Sequence, residues 1–274
     1  MRHIFLKLML LLPALIAAPG CSSRFSCPGT LSEWEGCTRY DFQVEGRDAI
    51  VVLPEKAAKG RPWILRPAFF DAFAQVDKVL LREGWAVAYY DVTHLYGSPR
   101  AVELMKKFYD YAIDSFPLAK RMTLEGFSRG GYFSFAWAEA YPETVSCLYV
   151  DAPVCDITSW PGRASELWPD FLAEWGLEDS EVGPDFVGNA LSHLPSIAAA
   201  HIPIVAVCGD SDATVPYEEN FKPFYEAYRA LGEDVELFLK PGCDHHPHSL
   251  ENPSPVVGFI KARWKSEKKH KKIF

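Results

Sequence analysis

Residues 121–131, Arg-Met-Thr-Leu-Glu-Gly-Phe-Ser-Arg-Gly-Gly, constrain this chain more than any other stretch. The centre, Gly126-Phe127-Ser128-Arg129-Gly130, fits the pattern G-x-S-x-G, in which a strand turns so sharply into a helix that the serine stands exposed at the sheet edge. Small residues are expected on either side of Ser128, because the turn strains the backbone and brings it close to a neighbouring strand and helix. A pattern this short also occurs in plain turns. The rest of the chain must therefore supply a sheet from which such a turn can emerge.

Alternating periodicities supply one. Residues 40–44 and 49–53, separated by Glu45-Gly46-Arg47-Asp48, predict an antiparallel hairpin. Short apolar runs predict buried strands at 62–66, 85–91, 121–125, 146–151 and 202–208, with a further strand at 235–239. Helical spacing predicts helices over 71–82, 98–115 and 128–141, with Ser98 capping the second ahead of Pro99. Strands alternating with helices imply an α/β fold: a mostly parallel central sheet with helices on both faces, its ligand site beyond the carboxyl ends of the strands. The alternation lapses at 154–200, where Trp160, Trp168, Phe171, Trp175 and Phe186 mix with proline and glycine. A small helical cap is expected there, most of its aromatics packing as core and one or two lining a pocket.

Residues 1–20 read as a signal peptide: Arg2, His3 and Lys7, an apolar run, then small residues, too short for the about 20 apolar residues of a membrane span. Cys21 directly after Pro19-Gly20 adds the lipoprotein alternative, in which a lipidated Cys21 attaches the chain to a membrane; free secretion is the other reading. The expected location is thus the periplasm or outer membrane, or the exterior. Residues 27–274 are expected to form one α/β domain of ordinary size, with the cap insertion at about 154–200. A net charge of −8 argues against nucleic acid as a partner; the basic segment 261–272 reads as a solvated helix end. Seven cysteines in an exported chain permit disulfides. Cys27 with Cys37 is the easiest pair, and one pair among Cys155, Cys208 and Cys243 is a further option; Cys147 reads as a core residue.

A serine hydroxyl needs a base to take its proton, and the base needs a partner that fixes its tautomer. After the strand at 202–208 comes Gly209-Asp210-Ser211-Asp212, with Asp212 chosen as the orienting acid and Asp210 as a loop-capping reserve. After the next strand comes Cys243-Asp244-His245-His246-Pro247-His248, with His245 chosen as base, His246 expected to point away and His248 following a proline. The cluster lacks the i, i+4 face that holds two imidazoles on one ion, so neither metal nor cofactor is expected. Oxyanion donors are expected at the Arg129 N–H and at Ala68 or Phe69, since Pro67 has no N–H. Tyr96, Asp156 and Trp160, at or after strand ends, are candidate substrate contacts.

In these motifs residues 40–264 resemble the α/β-hydrolase superfamily. Asp91-Val92-Thr93-His94-Leu95-Tyr96-Gly97-Ser98-Pro99, Val150-Asp151-Ala152-Pro153-Val154-Cys155-Asp156 and the His245 to Leu250 end resemble an exported bacterial branch of serine esterases and prolyl-oligopeptidase-like enzymes. Two departures stand out: Arg66-Pro67 replaces the usual glycine step of the oxyanion loop, and Asp244 replaces the glycine before the histidine. The resemblance implies a serine hydrolase that cleaves a small-molecule or glycan ester, with deacetylation of a carbohydrate favoured. An exopeptidase of the same fold, or a binding protein that has lost the chemistry, are the alternatives.

Overall fold

The computed structural model describes residues 29–270, with side chains through residue 264. The signal peptide, Cys21 and Cys27 lie outside the described residues. In chain order the elements are β1 (Thr30–Trp34), β2 (Cys37–Val44), β3 (Arg47–Leu53), β4 (Trp63–Arg66), α1 (Gln75–Arg82), β5 (Ala86–Tyr90), α2 (Pro99–Ser115) and β6 (Met122–Phe127). They continue with α3 (Gly130–Ala140), β7 (Val145–Asp151), α4 (Trp168–Trp175), α5 (Ala190–Ala199), β8 (Ile204–Gly209), α6 (Phe221–Ala230), β9 (Val235–Lys240) and α7 (Ser254–His270).

One nine-stranded sheet runs in the order β1-β2-β3-β5-β4-β6-β7-β8-β9. From β4 to β9 every neighbouring pair is parallel, and β1, β2 and β3 add an antiparallel edge. The chain leaves β4 for β5 on one side and later enters β6 on the other. Order therefore reverses at β4, and the loops after β4 and β6 diverge to open a crevice at the carboxyl ends.

The pleat distributes the core. Ala49 and Val51 of β3, Trp63 and Leu65 of β4, and Ile204 and Ala206 of β8 face the layer containing α2, α3, α5 and α6. Their neighbours Ile50, Val52, Ile64, Val205 and Val207 face α1 and α7. Two-sided burial explains why these strands read as continuous apolar runs. The Ser98 hydroxyl caps α2 by accepting from the Ala101 N–H at 3.1 Å.

Four expectations change. β1 escapes sequence detection because four of its five side chains are exposed; pairing with β2 holds it. The segment expected to open a helix at residue 71 instead carries positive φ at Phe69, Asp71 and Phe73, and α1 starts only at Gln75. α5, assigned by composition to the insertion, shares the main core through Ala190, Ile197 and Ala198. The separate cap core consists of Tyr96, Tyr132, Val154, Ile157, Trp168, Phe171, Val182, Phe186 and Val215. Cys155, Cys208 and Cys243 are free thiols, so no pair among them is bridged, and burial pushes the first two thiols well up.

Candidate active site

β6 delivers Ser128 to the crevice with φ +51°, a left-handed conformation that a non-glycine residue adopts only when its surroundings hold it there. The holding contacts are backbone bonds: the Ser128 N–H donates to the Asp151 carbonyl, and the Ser128 carbonyl accepts from Gly131 and Val154 N–H, all at 2.9 Å. A Cβ at Gly126 would meet Ser134 Oγ at 2.5 Å, and one at Gly131 would meet Pro153 Cβ at 2.7 Å. Gly130, although in the motif, has nothing closer than 4.0 Å, so crowding falls on Gly126 and Gly131 instead.

His245 arrives on the loop after β9 and Asp212 on the loop after β8. His245 Nε2 lies 3.0 Å from Ser128 Oγ, and His245 Nδ1 lies 2.7 Å from Asp212 Oδ2. All three residues are buried. The other Asp212 oxygen accepts from the Thr214 and Val215 N–H groups at 2.9 and 2.8 Å. Burial acts to raise the Asp212 carboxyl, but the hydrogen bonds from His245 and these backbone donors outweigh it and hold the group below its usual value. It is therefore an anion at neutral pH, suited to orient an imidazole and to stabilise its protonated form.

Two further carboxylates fasten this end. Asp210 accepts from the Gly242 N–H at 2.7 Å and the Ser211 hydroxyl at 2.9 Å, tying the loop after β9 to its own. Asp244 accepts from the Ala213 and His245 N–H groups at 2.9 and 2.7 Å, bonds that lower its pKa. The residue replacing the usual glycine thus pins the histidine loop to the acid loop.

A pocket of about 260 Å³ opens over Ser128, lined by Phe69, Ala72, Phe73, Phe127, Arg129, Trp160, Thr214, His245, His246 and His248. Phe69 therefore stands on its wall, whereas Ala68 is buried and absent from it. The loop bearing them is anchored by Arg66, whose guanidinium donates to the Ala72 carbonyl at 2.7 Å and pairs with Asp77 at 2.8 Å. Among the substrate-contact candidates only Trp160 reaches the pocket. Tyr96 is packed edge-on against Phe171 in the cap core. Asp156 caps its own loop, accepting from the Thr158 N–H at 2.8 Å and hydroxyl at 2.7 Å.

His246 also departs from expectation, for it lines the pocket beside Phe73, ring centroids 5.4 Å apart. Sequence reasoning passed over His248 as well. Its Nδ1 lies 2.7 Å from Asp151 Oδ1, and its ring packs against Phe73 and Phe127. The only sequence signal for it was the histidine cluster itself. Potential ligand atoms of His245, His246 and His248 lie up to 4.8 Å apart, wider than the about 3.4 Å that tetrahedral ligation at about 2.1 Å requires. His245 already spends both nitrogens on Ser128 and Asp212.

The fold has known counterparts. The S-formylglutathione hydrolase of Staphylococcus aureus superimposes with a TM-score of 0.62 at 16% identity, covering 82% of this chain and 97% of that one. The acylaminoacyl peptidase of Pyrococcus horikoshii gives 0.58 at 16% identity, covering 86% of this chain and 40% of that one. Such identities show a common fold. Among curated sequences, the acylamino-acid-releasing enzyme of Rattus norvegicus is 28% identical over 145 residues, 50% of this chain and 19% of the relative. Its Mus musculus counterpart is 29% identical over 142 residues, 48% of this chain and 19% of the relative. The chain thus spans about a fifth of the length of these relatives. The family model for the prolyl oligopeptidase family matches residues 88–265, which include the Ser128 turn and the loops bearing Asp212 and His245. With more than half of its length matched, this chain, a serine hydrolase of the α/β-hydrolase fold, belongs to the prolyl oligopeptidase family.

Proposed function

We propose that the protein cleaves carboxylic esters through an acyl-enzyme, with Ser128 as nucleophile, His245 as base and then acid, and Asp212 as the group that orients His245. One observation carries this reading: the unbroken hydrogen-bonded chain from Ser128 Oγ to His245 to Asp212, at 3.0 and 2.7 Å, opening on a pocket. In the first half-reaction Ser128 Oγ bonds to the ester carbon as His245 Nε2 takes its proton. The carbonyl oxygen becomes an oxyanion facing the Arg129 N–H and a donor from the loop bearing Phe69. Collapse breaks the bond to the alcohol oxygen, which leaves with the proton from His245. Water then repeats the sequence on the acyl-serine, releasing the acid and restoring the Ser128 hydroxyl.

A pocket of about 260 Å³ favours a small acyl group, acetyl on a carbohydrate being the preferred substrate. Export with lipidation at Cys21 completes the proposal; acyl labelling that persists in Cys21→Ser would remove that part. The second reading, an aminoacyl peptidase, is favoured by the likeness to acylamino-acid-releasing enzymes. Purified protein assayed on p-nitrophenyl acetate, acetylated oligosaccharides and aminoacyl amides separates the two. Ester turnover that vanishes in Ser128→Ala is expected, and full turnover in that variant ends the proposal.

A further inference from the structure

Arg129 differs from the other well-anchored guanidinium groups. Arg39, Arg66, Arg163 and Arg263 each hold a carboxylate. Among the described residues Arg129 has no such ion pair. It lies over the Trp160 ring at 4.8 Å and the Phe69 ring at 5.9 Å. Its Nε is buried with no hydrogen-bond partner. Burial without a carboxylate lowers its pKa, offset in part by Tyr96, yet a guanidinium stays charged at any physiological pH. Arg129 is half-buried, and a buried N–H of a charged group left without a partner is costly until something pairs with it.

The pocket itself supplies nothing of the opposite sign. Its wall consists of aromatic and small side chains, Ser128, Thr214, three imidazoles and Arg129, with no carboxylate. Aromatic rings beside a guanidinium hold it by cation–π attraction and leave its N–H groups to receive a planar anion by paired bonds. Ser128 and Arg129 are adjacent in sequence and share one pocket, so a small molecule bound there meets both.

We propose that Arg129 determines specificity by receiving a carboxylate of the substrate while Ser128 attacks its ester, so that among otherwise matched esters the one carrying a carboxylate is turned over faster. The inference rests on the ester-hydrolase reading of Ser128. The carboxylate can belong to the acyl part or to the leaving alcohol, and two probe pairs tell them apart. Mono-4-nitrophenyl adipate against 4-nitrophenyl hexanoate tests the acyl side; 4-acetoxybenzoate against 4-acetoxybenzamide tests the leaving group.

The quantity read is kcat/KM for the charged ester divided by that for its neutral mate. In at least one pair this ratio should fall about tenfold or more from the wild type to Arg129→Gln, the scale of a lost charge-assisted hydrogen bond. Arg129→Lys should keep part of the ratio, since the charge remains but the planar fork is lost. Titration with a fluorophosphonate counts competent sites and guards against misfolding. Ratios equal within about twofold in wild type and Arg129→Gln, in both pairs, overturn the proposal. Failure of the wild type to turn over any of the four esters or to label at Ser128 overturns the ester-hydrolase reading and this inference with it.

Discussion

Two aspartate–histidine pairs stand side by side at the carboxyl end of the sheet. Asp212–His245 and Asp151–His248 each join Nδ1 to a carboxylate at 2.7 Å, and all four residues are buried. Their surroundings separate them. The outer nitrogen of His245 reaches Ser128 Oγ, and Asp212 spends its other oxygen on its own loop through the Thr214 and Val215 N–H groups. Asp151 uses its second oxygen on the Ser249 N–H at 2.6 Å, while the His248 ring is walled by Phe73 and Phe127. Identical chemistry therefore supports two roles. Under the proposed function the first pair moves a proton, and the second fixes the loop that presents the first.

The largest test of this contrast is Asp212→Asn, which leaves His245 without an anionic partner in the tautomer it needs. A fall in kcat of about 10³ to 10⁴ is expected from steady-state kinetics, on top of a stability loss of about 1–3 kcal/mol read by denaturant unfolding. Asp151→Asn should match it in stability and differ in rate. Removing an acceptor from a buried imidazole and a buried N–H costs about 1–3 kcal/mol of stability, read by denaturant unfolding, with kcat reduced by no more than about tenfold. If Asp151→Asn depresses kcat as far as Asp212→Asn at unchanged stability, the division of roles is wrong.

The smallest effect concerns a carboxyl on the neighbouring strand that has no imidazole at all. Glu125 lies buried beside Arg66, 3.9 Å from its guanidinium, with neither oxygen at hydrogen-bond distance from a partner. Burial raises its pKa well above 4.5; Arg66 opposes this and Asp77 adds to it. A raised folded-state pKa means that the unfolded chain loses this proton first. Stability is therefore fullest below the unfolded value and drains away as pH rises toward the folded one. Glu125→Gln should raise the melting temperature on the order of 2 °C at about pH 8 and less at about pH 5. A gain that is larger at the acid end would reverse the assignment.

Much of the site was legible because its signals are local. A nucleophile turn, an acid loop and a histidine loop each follow a strand whose apolar run is visible in the chain, and the α2 cap at Ser98 can be read from Ser98-Pro99 alone. The Asp151–His248 pair was hidden because its partners are 97 residues apart, with no periodicity linking them. β1 was hidden because an exposed edge strand carries no hydrophobic pattern, and α5 because a lapse in alternation looks the same whether a helix joins the cap or the main layer.

By itself the sequence determined an α/β sheet with a serine turn, followed in chain order by an acid loop and a histidine loop, since these follow from periodicity and from residues within a few positions of one another. Only the tertiary structure decided which of three histidines meets Ser128, which candidate aromatic stands on the pocket wall and which guanidinium there is left without a counter-ion. Those outcomes depend on how loops from β4, β6, β8 and β9 converge at one crevice, a matter of packing between segments far apart in the chain.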